Sequence, residues 1–118
     1  MTLIDTNVVL RYLLNDIESQ AETAEKIIKE GAFTLPEIIA EVIYVLVKVY
    51  EIPRAEIQSI LIPFLNEINI DNKNVINSAV ELFSSTSFDF VDCILIARKL
   101  ILNENIFTFD KKLSNKLK

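Results

Sequence analysis

Short apolar runs alternate along the chain with longer stretches whose apolar residues recur at helical spacing. The first run is Thr2-Leu3-Ile4, and comparable runs occupy residues 32–35, 67–70 and 106–109. Strands that alternate with helices are joined by crossover connections and form parallel sheets. The pattern therefore predicts an α/β fold, in which a central parallel sheet of about four to five short strands is flanked by helices.

The longer stretches predict a helix after each run and several more between them. Gly31 occupies the C-terminal cap position of the second helix, and Pro36 suits the first turn of the third. Pro63 is expected to kink or end the fourth helix. The first three predicted helices span residues 8–14, 19–30 and 36–50. A fourth begins at Pro53, and three more span residues 74–83, 89–102 and 111–117.

The length of 118 residues is about that of one domain, and 51% apolar residues suffice for a core, so residues 1–118 are expected to form a single domain. No signal peptide is visible, and the longest apolar stretch, Val42–Val47, is far shorter than the ~20 residues of a membrane helix. The only cysteine, Cys93, cannot form an internal disulfide, which favours a reducing cytoplasm, and we expect its side chain to be buried.

Two residue types that many enzymes need are scarce. The chain has no histidine, which excludes Ser-His-Asp and Cys-His hydrolases and His-ligated zinc sites. It has one glycine, too few for a dinucleotide-binding fingerprint or a P-loop. Asp and Glu together number 17, so any catalysis is expected to depend on carboxylates.

An α/β fold collects its ligands at the carboxyl ends of strands, and two of the four candidate acids lie there. Asp5 follows the first predicted strand and Asp110 the last, while Glu41 lies inside the third predicted helix and Asp92 in the first turn of the sixth. Each acid also has a purely structural interpretation. Asp5 and Asp110 are good helix caps, Glu41 could belong to a solvated stripe, and Asp92 could share a capping arrangement with Asp89.

Taken together, the acids and their neighbours form an ordered series that resembles the PIN-domain family, in its VapC-type branch. The series consists of Asp5-Thr6-Asn7 after the first strand, Glu41 in an apolar helix, Asp92 in the stretch 88–97, and Asp110 after Phe107-Thr108-Phe109. By this resemblance, Asp5, Glu41, Asp92 and Asp110 are the metal-binding and catalytic acids. Thr6, Asn7 and Thr108 match supporting polar positions, whereas Asp89 is expected to cap its helix.

The resemblance implies a metal-dependent endoribonuclease that hydrolyses RNA phosphodiester bonds, with one or two Mg²⁺ or Mn²⁺ ions. Converging carboxylates repel one another, and two unit charges 4 Å apart cost about 4 kcal/mol near a protein surface. A cation that neutralises them keeps them ionised, and an all-oxygen ligand set suits Mg²⁺ or Mn²⁺ rather than zinc. Such ions can activate a water molecule and stabilise the leaving oxygen without a histidine.

The resemblance also implies partners: an RNA substrate, a cognate antitoxin that holds the toxin inactive, and a second copy in a homodimer. Apolar residues of the third and fourth helices offer a dimer surface, or alternatively belong to the core: Ile38, Ile39, Val45, Leu61, Ile62 and Phe64. A non-catalytic RNA- or protein-binding module on the same fold is the main alternative function. A phosphatase is disfavoured, because Asn7 stands where aspartate-nucleophile phosphatases need a second Asp.

The net charge of −5 argues against a nucleic-acid partner, since phosphate contacts dominate the affinity for nucleic acids. The basic residues are unevenly spread, however, and four of the 12 lie in the last eight positions. Our hypothesis is that Lys111 and Lys112 lie at the rim of the acidic site and hold RNA phosphates. The alternative is a solvated basic tail.

Overall fold

The computed structural model describes residues 1–118 and contains two short strands and seven helices. The strands are β1 (Thr2–Leu3) and β2 (Ala32–Phe33). The helices are α1 (Thr6–Leu14), α2 (Glu18–Gly31), α3 (Pro36–Lys48), α4 (Arg54–Glu67), α5 (Lys73–Ser85), α6 (Phe90–Leu102) and α7 (Lys111–Leu117). The chain therefore has an α/β fold in which helices predominate.

The two strands are parallel, with Thr2 opposite Ala32 and Leu3 opposite Phe33. A third segment extends the sheet by a single parallel bridge between Phe33 and Asn69. The Asn69 main chain donates to the Ala32 carbonyl over 3.1 Å and accepts from the Thr34 N–H over 3.0 Å. The sheet thus places the end of β1 beside the end of β2.

The predicted sheet of four to five strands is not confirmed. Residues 67–70 contribute only the bridge at Asn69, and residues 106–109 form no ladder with β1. In residues 106–109, Phe107 and Phe109 are 80% and 92% exposed. Their rings pack edge to face, with 5.0 Å between the ring centres. The β-forming residue types of this segment favour a strand, but its main chain finds no partner to pair with.

The predicted helices are confirmed, with ends that shift by a few residues. Gly31 is the last residue of α2 and has φ of +108°, a conformation that other residue types adopt only with strain. Pro63 does not end α4, which continues through it to Glu67. Pro63 and Ser59 both lie on the exposed side of α4, so water can solvate the Ser59 carbonyl that receives no hydrogen bond from Pro63.

The core is one cluster of 25 buried residues drawn from β2, every helix and a few residues between them, such as Ile4 directly after β1. Cys93 is fully buried within it, as predicted. The residues considered for a dimer surface belong to this core or pack against it: Ile39, Leu61 and Phe64 are buried, and Ile38, Val45 and Ile62 are partly buried. The three buried residues are therefore core, as the alternative interpretation held, and the three partly buried ones expose only part of their side chains. None of the helices is long and apolar enough to cross a membrane.

Candidate metal and nuclease site

Asp5 lies directly after β1, where it caps α1. Its Oδ1 accepts a hydrogen bond from the Val8 N–H over 3.1 Å. The preceding residue, Ile4, is buried, and its N–H donates to the Phe33 carbonyl over 2.9 Å. Its carbonyl accepts from the buried Thr34 hydroxyl over 3.1 Å. The sheet and the helix cap together fix the position of the Asp5 carboxylate, whose other oxygen has no protein partner.

Glu41 lies on the exposed side of α3 and shares a cleft with Asp5. The cleft has a volume of about 330 Å³, and its walls come from the start of α1 and the middle of α3. It is lined by Asp5, Thr6, Asn7, Leu10, Glu41 and Val45. Two of the four acids, and the two polar residues predicted to support them, therefore meet in one place.

Asp92 lies in the first turn of α6, half-buried, and forms a second acidic group with Asp89 and Asp110. Burial raises the pKa of the Asp92 carboxyl, and the negative charges of Asp89 and Asp110 raise it further. The ammonium of Lys112 acts in the opposite direction. Asp89 and Asp110 are therefore near enough to Asp92 to act on its charge, although burial is the larger cause of the raised pKa.

Asp110 caps α7, and two neighbours fix its orientation. Its Oδ1 accepts from the Leu113 N–H over 2.9 Å, while its own N–H donates to the Thr108 hydroxyl over 3.1 Å. The structural interpretation of Asp5 and Asp110 as caps is thus confirmed. Each uses one carboxylate oxygen for the cap, and the other oxygen remains free of protein partners.

The structure brings the four acids together as two groups rather than one. Asp5 and Glu41 line the cleft, the charge of Asp110 acts on Asp92, and no three carboxylates lie close enough to hold an ion together. Mg²⁺ is usually held by one or two carboxylates and keeps several of its waters. The all-oxygen donors of either group therefore fit hydrated Mg²⁺ or Mn²⁺, and they do not suit zinc.

The side chain of Asp89 does not act as predicted. Asp89 stands at the N-cap position of α6, but its carboxylate makes no cap hydrogen bond. It is exposed and forms no salt bridge. Its carboxylate therefore remains available for another contact.

The basic residues near the site are mostly engaged with protein groups. Lys112 Nζ donates to the Ser87 hydroxyl over 2.5 Å and lies 4.5 Å from the centre of the Phe88 ring. Arg11 pairs with Asp16 over 3.3 Å. Lys111 is exposed at the start of α7 and has no hydrogen bond or ion pair. Of the two lysines predicted at the rim, Lys111 is thus the one with a free ammonium.

Arg54, which was not predicted from the sequence, fixes the loop that precedes α6 and carries Asp89. Its guanidinium donates to the main-chain carbonyls of Phe83, Thr86 and Phe88, and lies 3.7 Å above the Phe83 ring. These bonds tie the end of α5 to the start of α6. An arginine directly after a proline carries no local signal of this role. The buried hydroxyl of Thr34 was missed for a similar reason, because a threonine in a strand usually indicates only β propensity.

Comparison with known proteins adds evidence of family. The model of the PIN domain matches residues 2–116. A curated relative, the VapC ribonuclease of Aquifex aeolicus (strain VF5), is 31% identical over 114 residues, which cover 88% of this chain and 84% of that protein. No solved structure matches the chain significantly.

Proposed function

Because this chain belongs to the PIN-domain family and is similar to a VapC ribonuclease, we propose that it is a divalent-metal-dependent endoribonuclease that hydrolyses RNA phosphodiester bonds. The observation that carries the proposal is the shared cleft of Asp5 and Glu41, with a second acidic group at Asp92 and Asp110. In this proposal residues 1–118 form one nuclease domain.

The proposed roles follow from where each side chain is held. Asp5, Glu41, Asp92 and Asp110 would hold Mg²⁺ or Mn²⁺ through carboxylate oxygens. A bound cation would supply charge neutralisation and Lewis-acid activation of the phosphate. Thr6 and Asn7 line the cleft beside Asp5, where they are placed to contact the RNA backbone.

Electrostatics limits where the RNA backbone can approach. With a net charge of −5, the chain is expected to bind RNA poorly without a cation. Lys111 adjoins Asp110 and has a free ammonium, so it is placed to contact a phosphate next to the one that is cleaved. Lys112 would act mainly by holding Ser87 and moderating the charge around Asp92.

The biological role that we propose is the toxin of a type II toxin–antitoxin pair, held inactive in the cytoplasm by a cognate antitoxin. Its support is the similarity to a VapC ribonuclease along most of both chains. A homodimer is part of the same proposal, with an interface other than the buried residues of α3 and α4 named above.

The test is to incubate the purified protein with labelled single-stranded RNA in Mg²⁺, Mn²⁺ or EDTA. We expect cleavage in either metal, none in EDTA, and none by Asp5→Asn. Asparagine caps a helix as well as aspartate does, so this variant keeps α1 and loses only the charge. The matched control is Asp71→Asn, which removes an exposed carboxylate that has no hydrogen bond or ion pair.

Cleavage that persists in EDTA or in Asp5→Asn contradicts the metal mechanism. An absence of cleavage by the folded wild-type protein in both metals favours a non-catalytic binding module instead.

A further inference from the structure

The largest open groove on the molecule lies beside the acidic site. It has a volume of about 480 Å³, within the range that encloses a small organic group, and most of its lining is apolar. One wall is α3, and the other is formed by the start of α6 with Ser87 and Asp89 before it. Arg54 and Phe83 contribute to the remaining wall.

The groove borders the acidic site on two different helices. On α3, Tyr44 lines the groove and lies three residues after Glu41, so the two side chains are neighbours on the helix surface. On the other wall, Asp89 lines the groove and raises the pKa of Asp92, three residues later. The groove therefore adjoins Glu41 on one side and Asp92 on the other.

Three side chains of the groove make no hydrogen bond or ion pair, and none of them is one of the four proposed metal-binding acids. The Tyr44 side chain is 63% exposed and makes no hydrogen bond or ring contact. Lys48, one turn further along α3, forms no salt bridge. The Asp89 carboxylate makes no cap hydrogen bond with the first turn of α6. An exposed ring, a free cation and a free hydrogen-bond acceptor thus surround one apolar space.

We infer that this groove is a subsite for one unpaired base of the RNA substrate, next to the phosphate that is cleaved. The inference rests on the proposed function. Tyr44 stacks on the base, Lys48 binds a neighbouring phosphate, and Asp89 accepts hydrogen bonds from the edge of the base. Proteins that read single-stranded RNA use this combination of stacking and edge contacts.

The chemistry of Asp89 selects the base. An ionised carboxylate only accepts hydrogen bonds, so it favours a base edge that presents N–H groups. Guanine presents two adjacent N–H groups on its pairing edge, whereas uracil presents one between two carbonyl oxygens. The groove therefore prefers guanine over uracil at this position.

The test measures binding, so that it does not depend on cleavage. Four labelled octaribonucleotides that differ at one central base are titrated in Mg²⁺ against the Asp5→Asn protein, which cannot cleave them. In this background, Tyr44→Ala is expected to weaken binding by roughly 5- to 140-fold, because one stacked base contributes about 1 to 3 kcal/mol and 1.4 kcal/mol is a factor of ten. Tyr44→Phe keeps the ring and is expected to bind as tightly as its parent.

Asp89→Asn is expected to reduce the preference for guanine over uracil, whatever it does to overall affinity. The control is Asp71→Asn, which removes an equal charge outside the groove and should leave the preference unchanged. Equal affinity of Tyr44→Ala and its parent for all four RNAs overturns the inference and points to a protein segment as the occupant. Failure of both this parent and the wild-type protein to bind any of them also overturns it.

Failure of the proposed function is seen separately, as the absence of RNA cleavage by the wild-type protein. Where the wild-type protein does cleave, sequencing the ends of a cleaved random RNA pool gives a second readout. The guanine preference next to the cut is expected to weaken in Asp89→Asn and to persist in Asp71→Asn.

Discussion

Replacing Arg54 with methionine tests whether its guanidinium holds the loop before α6. Methionine keeps most of the apolar stem and removes the bonds to three main-chain carbonyls and the stacking on Phe83. A hydrogen bond from a charged donor contributes about 1.5 to 3 kcal/mol, and an exposed cation–π contact about 0.5 to 1. Since Arg54 is only half-buried, water replaces part of this, and we expect a net loss of about 2 to 4 kcal/mol.

For a chain of this length, 1 kcal/mol corresponds to about 4 °C in melting temperature, so Arg54→Met is expected to melt roughly 8 to 16 °C below wild type. The assay is thermal unfolding followed by far-ultraviolet circular dichroism. The matched control is Arg98→Met, which removes an ion pair with Glu104 in which the side chains are 34% and 41% exposed. Pairs of that kind contribute about 0.2 to 1 kcal/mol.

A second variant separates charge from geometry. Arg54→Lys keeps the charge but cannot reach three carbonyls in different directions, so we expect it to lose most of the stability that Arg54→Met loses. If Arg54→Met melts no lower than Arg98→Met, the carbonyl contacts do not stabilise the loop, and the reasoning is wrong.

Two further predictions concern single groups. Burial and neighbouring carboxylates raise the pKa of the Asp92 carboxyl, so the folded state holds that proton more tightly than the unfolded state. The stability that this proton contributes is therefore lost as pH rises through the folded-state pKa. In EDTA, Asp92→Asn is therefore expected to melt above wild type at neutral pH, with a gap that closes in acid; a gap that is constant with pH contradicts this. Thr34→Val removes the buried hydroxyl bond to the Ile4 carbonyl and is expected to cost about 1 to 2 kcal/mol in urea unfolding. The control is the exposed Thr23, whose hydroxyl donates to the Ser19 carbonyl in its own helix, and Thr23→Val should cost less than about 0.5 kcal/mol. If Thr34→Val and Thr23→Val cost the same, burial of the hydroxyl is unimportant.

The helices could be predicted because their signal is local. In α2, for example, the buried residues Ala21, Ala24 and Ile28 recur at the spacing that places them on one face. The sheet could not be predicted as well, because a strand requires a partner that its own residues do not specify. Residues 106–109 have the residue types of a strand, yet Phe107 and Phe109 are exposed and unpaired.

Asp5 and Glu41 share a cleft, as the family resemblance implies, whereas the α/β topology by itself placed only Asp5 at the end of a strand. The contacts of Arg54 and the free carboxylate of Asp89 depend on side-chain directions across three helices and one loop. No periodic pattern encodes them. For the same reason, the sequence did not separate the four acids into two groups.

Helix capping and metal binding looked like competing interpretations of Asp5 and Asp110, but in this structure they are compatible. In each residue Oδ1 accepts from a main-chain N–H of the following helix, and this contact fixes the plane of the carboxylate. The second oxygen is thereby held in a defined direction without a protein partner. A hydrated Mg²⁺ needs only one or two such oxygens, provided that they are held still. The caps therefore perform part of the positioning that the proposed site requires, and residue types common at helix starts can serve the fold and the cation with the same side chain.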